Sequence, residues 1–132
     1  MANEAVLWME LDLPIPFTVA DGAGIEKGTL LKMSDPMTAA AATGDNDLFA
    51  GIAAEEKIAS DGRTKLGVYR RGIFKMVVEA GQSTTVGKDV VVKGTNTIGT
   101  YTTLDDELGY VIGKALETAA AGESCLVLLR EA

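Results

Sequence analysis

The octapeptide FAGIAAEE at residues 49–56 has a relative, VIGKALET, at 111–118. Setting Gly51 on Gly113 also sets Ala53 on Ala115 and Glu55 on Glu117, a separation of 62 residues in a chain of 132. A repeat spaced near half the chain length points to internal duplication, and so to two similar units. Half of this chain is too small to close a core alone, so the two units must pack into one domain.

The segments around each copy follow one order: a glycine-led apolar strand, a polar interval, the Gly-x-Ala-x-Glu strand, a tight polar turn and a further strand. In the first half these are GTLLKM (28–33), DLFAGIAAE (47–55) and TKLGVYRR (64–71), followed by GIFKMVVE (72–79). The second half offers KDVVVK (88–93), TIGTYTT (97–103), LGYVIGKALE (108–117) and SCLVLLRE (124–131). Apolar residues recur with period two or in short solid runs bounded by Gly, Asp, Asn, Ser or Thr, which is strand patterning. The spacing predicts an all-β fold, a small β-barrel or β-sandwich at residues 18–132, with similar halves at about 24–80 and 81–132. One segment, DPMTAAAATG at 35–44, reads as a short helix capped by Asp35 and stopped by Gly44, with a loop as the alternative.

Residues 1–17 read differently. In AVLWMELDL, Leu7, Met9, Leu11 and Leu13 alternate with Trp8, Glu10 and Asp12, and Pro14 and Pro16 then remove two backbone donors and favour an extended path. The segment is therefore expected to be an extended N-terminal arm; the alternative is an ordinary first strand. Its apolar positions and large side chains, Leu7, Trp8, Met9, Leu11, Leu13 and Phe17, are candidate anchors for a partner surface.

The net charge of −7 argues against a nucleic-acid partner, because neutralising phosphates needs surplus Lys and Arg. The acidity is uneven: residues 57–75 carry +5 and the remainder −12. The single cysteine, Cys125, sits in an apolar run and reads as a buried small hydrophobe. No apolar run approaches the roughly 20 residues of a membrane span, and no signal-peptide pattern opens the chain. These features predict a soluble protein made in a cytoplasm.

Motifs for chemistry fail on spacing. GQSTTVGKD at 81–89 has five residues between Gly81 and Gly87 where a phosphate loop needs four, and valines follow where a helix should begin. DGAGIEKG at 21–28 misses the dinucleotide spacing. Asp45, Asp47 and Glu56 match three positions of a calcium loop, but Phe49 and Ala50 stand where a ligand and the turn glycine belong. The chain has no histidine, which removes the commonest general base and zinc ligand. Glu55, Glu56 and Glu117, or Asp105, Asp106 and Glu107, could pair as acid and base, but they read better as solvated strand ends and a turn. No enzyme activity, cofactor or metal is expected.

The stretch GIAAEEKIASDGRTKLGVYRRGIFKM at 51–76 resembles the central signature of tailed-phage head decoration proteins, or capsid cement proteins, the group typified by the lambda D protein. Gly51-Ile52 opens a small-residue strand, a polar turn follows, and Thr64, Leu66, Tyr69, Gly72 and Phe74 give T-x-L-x-x-Y-x-x-G-x-F. In residue terms Leu66 and Val68 share one face, Gly67 and Tyr69 the other. Gly72 reads as a bulge or bend letting one strand serve two sheet surfaces. Arg70 and Arg71, just before it, are either a solvated face or an intersubunit or capsid contact. The resemblance implies a β-tulip-like domain on the virion's outer surface. It implies a homotrimer on the mature head that binds the major capsid protein and stabilises the shell against internal DNA pressure, with the N-terminal segment adding to a capsid-protein sheet. A free-standing β-barrel module for a ligand or carbohydrate is the competing class, although the few aromatic residues speak against it.

Overall fold

The computed structural model describes residues 3–44, 47–102 and 108–130. In chain order its strands are β1 (Val6–Glu10), β2 (Ile15–Thr18), β3 (Leu30–Asp35), β4 (Thr38–Ala41), β5 (Phe49–Ala53), β6 (Lys65–Tyr69), β7 (Gly72–Val78), β8 (Ser83–Thr84), β9 (Asp89–Gly94), β10 (Thr97–Thr100), β11 (Val111–Ala115), β12 (Ala119–Ala120) and β13 (Ser124–Leu129). A 3-10 turn at Leu108–Tyr110 precedes β11, and none of the described helical structure is long enough to cross a membrane.

Two five-stranded barrels result. The first closes as β2-β4-β3-β5-β6, and the second as β7-β10-β9-β11-β13 with β13 returning to β7. Their connectivity is the same. The pairs β2–β4 and β7–β10 are parallel; every other pairing inside either barrel is antiparallel. β3 and β4 map onto β9 and β10 at an offset of 59 residues, whereas β5 maps onto β11 at 62. The longer 101–110 connection before β11 accounts for the difference, and the shorter 116–123 connection after it returns the offset to 59 between β6 and β13. Register irregularities repeat as well: the β3–β4 ladder slips between Met33 and Asp35, and the β9–β10 ladder between Val92 and Gly94. The duplication read from the twin octapeptide extends through the whole topology.

Strand alternation fills the first barrel with Phe17, Val19, Leu31, Ala50, Ala53, Leu66 and Val68. The second core holds Phe74, Met76, Val90, Ile112, Cys125 and Val127, together with Leu30, Ile52 and Tyr69 from the first barrel, so the two barrels share one apolar interior at their junction. Tyr69 packs edge-to-face on Phe74 with ring centroids 5.5 Å apart. Asn96, fully buried at the tip of the β9–β10 hairpin, accepts the Leu30 backbone N–H through its Oδ1 at 3.0 Å.

Three expectations are corrected. The two halves do not combine into a single barrel: each closes its own around its own core, and the two join through shared apolar residues. Residues 38–41 form β4 rather than a helix. The hairpin turn at Pro36-Met37, with Met37 at φ 49°, sends the chain back along β3, and ladder pairing in a closing barrel outweighs the helix preference of alanine. Of the two readings of Gly72, the bulge within one strand does not hold and the bend between strands does. Gly72 opens β7 at φ 152°, where the chain leaves the first barrel through Arg70-Arg71 and enters the second.

Candidate interaction surface

The repeated Gly-x-Ala-x-Glu motif proves to be architectural. A Cβ on Gly51 would collide with the Tyr69 carbonyl oxygen, and one on Gly113 with that of Leu128, the topologically equivalent residue. Ala53 and Ala115 are both buried. The Glu55 carboxylate accepts the Gly67 N–H at 3.2 Å, and the Glu117 carboxylate accepts the Leu126 N–H at 2.9 Å, again at equivalent positions. Each motif thus seats one strand closely on its neighbour and tethers that neighbour's backbone. Glu55 also pairs with Arg63 at 2.5 Å. Among the described residues no cluster of His, Cys, Asp and Glu could hold a metal ion. Asp45 and residues 105–107, weighed above as a calcium or acid–base group, lie outside the described residues.

The anchors proposed for residues 1–17 separate into two sets. β1 lies antiparallel to β7, with Leu7 opposite Phe74 and Met9 opposite Ile73. Leu7 packs against the second core. Trp8 falls where the register slips, and is 57% exposed. Met9, Leu11 and Leu13 are also exposed, Leu13 at 76%. β1 ends the strand order, so its outer edge carries no partner strand among the described residues. Phe17 departs from this set. It is 2% exposed inside the first barrel, because β2 pairs with β6 and turns Phe17 inward opposite Leu66. Pro16 fits there because its partner Gly67 gives its carbonyl to the N–H of Ala54, just after β5, so no bond to an N–H of residue 16 is required.

Contacts at both ends hold β1 down. The Ala5 N–H donates to the Gly28 carbonyl at 2.8 Å, and Asn96 Nδ2 donates to Glu4 Oε2 at 3.5 Å. Interaction with the nearby Glu10 carboxylate, together with burial, holds the Tyr69 pKa above its ordinary value of 10.0.

The basic segment is narrower at the surface than its sequence count. Lys57 is buried, its ammonium donating to the carbonyls of Asp21 at 2.6 Å and of Ala23 and Ile58 at 3.2 Å, with Asp61 Oδ1 at 3.3 Å. Asp61 in turn accepts the Arg63 N–H at 2.9 Å; chiefly through that bond, and then through Lys57, its pKa is lowered from 3.8. Arg70 and Arg71 do come together with part of the arm. They line a groove of about 640 Å³ whose other walls are Asp12, Leu13, Pro14, Ile15 and Arg130. Arg70 donates to the Ala50 carbonyl at 2.6 Å, Arg130 pairs with Asp89, and Arg71 is exposed. Sequence reasoning missed Arg130. No spacing rule links it to Arg71; the link is the β7–β13 ladder, which sets Leu129 opposite Gly72 and brings the next residue beside Arg71.

No curated protein sequence matches the chain. Among solved structures, the head fibre gp8.5 N base of bacteriophage phi29 is similar, with a TM-score of 0.55 at 18% identity, covering 88% of this chain and 93% of that one. At that identity the likeness speaks for the fold. The family model described as phage cement protein matches residues 11–130, which include every strand of both barrels, and the chain therefore belongs to the phage cement protein family.

Proposed function

We propose that this protein decorates the outer surface of the mature phage head as a homotrimer, binds neighbouring major capsid protein subunits and stabilises the shell against internal DNA pressure, without catalysing a reaction. The observation that carries this reading, beside the family membership, is the exposed apolar strip Trp8, Met9, Leu11 and Leu13 next to the open edge of β1. An open strand edge pairs with a host sheet through main-chain bonds, while alternate side chains fill pockets. Trp8 is the large anchor; truncating such a residue in a buried contact costs roughly 2 kcal/mol or more.

Co-sedimentation with mature, decoration-free shells tests the proposal. The full chain should bind saturably, and Trp8→Asp with Leu11→Asp should weaken binding at least about tenfold, consistent with losing one anchor. A chain starting at Asp12 removes β1 and keeps β2, so the first barrel retains all its strands. Equal binding by all three would keep the capsid role and remove β1 from it, whereas binding by none would remove the capsid role itself. Mass photometry of the free protein and cross-linking on the shell read the trimer directly.

A further inference from the structure

The groove between the arm and the joint of the two barrels gathers three guanidinium groups in a chain of net charge −7. Arg70 and Arg71 come from the joint and Arg130 from the residue after β13, while Leu13 and Ile15, both exposed, supply an apolar wall. Among the described residues, Asp12 is the one acidic residue lining it. Arg70 and Arg130 are oriented by the Ala50 carbonyl and the Asp89 carboxylate, so two of the three guanidinium planes are fixed. Rigid guanidinium forks match carboxylates, and pre-set geometry lowers the ordering cost of binding.

We infer that this groove is a docking site for an extended acidic segment of a partner protein, with a carboxylate on the exposed Arg71 and an apolar side chain between Leu13 and Ile15. Charge complementarity selects the occupant. A strongly acidic molecule repels an acidic segment over most of its surface and admits one where its own charge is locally reversed. The chain's own arm is not that occupant. Its Glu4 and Glu10 are engaged by Asn96 and Tyr69 on the body of the protein. The inference rests on the decoration reading only for where the partner resides, namely the capsid shell.

A fluorescein-labelled octapeptide of alternating Glu and Leu, titrated by anisotropy onto the full chain, tests the site apart from any shell. Binding is expected to weaken at least about tenfold in Arg71→Glu and to fall steeply as salt is raised, while Lys27→Glu, the same charge change outside the groove, leaves it within about twofold. A Lys–Leu peptide of the same length should not bind. Equal binding of both peptides, or of wild type and Arg71→Glu, overturns the inference. Shell co-sedimentation of Arg71→Glu separates the two proposals. Shells that bind wild type and Arg71→Glu alike defeat the groove and leave decoration standing, whereas Arg71-dependent peptide binding without shell binding defeats decoration and leaves the groove.

Discussion

Gly113 shows how a single hydrogen in place of a methyl group can decide a strand contact. Its missing side chain lets β11 approach the Leu128 carbonyl more closely than any Cβ allows, and Gly51 meets Tyr69 in the same way. Backbone cannot yield as a flexible side chain does, so Gly113→Ala should destabilise the protein by about 3 kcal/mol, read as a lowered urea midpoint. Alanine at Gly122, where a Cβ meets nothing within 4 Å but φ is 82°, carries only the backbone strain and should cost about 1 kcal/mol. Lys57 and Asp61 make a different residue-scale argument. The Asp61 pKa is depressed in the folded state, so its contribution is present above the unfolded value of 3.8 and is lost as pH falls through the lower folded value. The melting temperature of wild type should therefore exceed that of Asp61→Asn at pH 7, and the gap should narrow below about pH 4.

At the scale of elements, β1 is the strand whose behaviour the structure makes most specific. It buries little beyond Leu7 and is held mainly by its ladder to β7 and by polar contacts at its ends, among them Tyr69 to Glu10. Tyr69→Phe keeps the ring on Phe74 and deletes the hydroxyl. Amide exchange should then accelerate in β1 while β7 and β13 stay protected, because local openings follow local contacts. Uniform acceleration throughout the second barrel would instead make β1 part of the global fold. Most elements were legible beforehand: period-two patterning around LGV located β6, and the solid apolar run VVV located β9, each to within a residue or two. β4 was not, since TAAA carries no alternation and alanine favours a helix; its strand state comes from β3 beside it.

For the molecule as a whole, the junction decides whether two similar barrels behave as one body. Leu30, Ile52 and Tyr69 sit in the second core, and Asn96 satisfies a buried N–H of the first barrel. Unfolding should accordingly be a single transition, with the near-ultraviolet circular dichroism of Tyr69, buried at the junction, and the far-ultraviolet signal coincident in urea. Asn96→Gly keeps the φ of 60° accessible and removes the bond to Leu30, so it should cost about 1–3 kcal/mol; Asn96→Ala adds backbone strain and should cost more. Two separate transitions would show that the barrels fold independently despite the shared interior.

By itself the sequence determined the all-β class, the duplication and most strand positions, since alternation and a repeated glycine motif are local signals that survive in one dimension. It also marked residues 7–13 as an apolar extended stretch. Tertiary structure alone decided that Phe17 lies in a core while Trp8 faces solvent, that Lys57 is buried among carbonyl oxygens, and that Arg130 joins Arg70 and Arg71. Each of those outcomes depends on which strand lies beside which, and ladder pairing across tens of residues leaves no periodic trace in the chain.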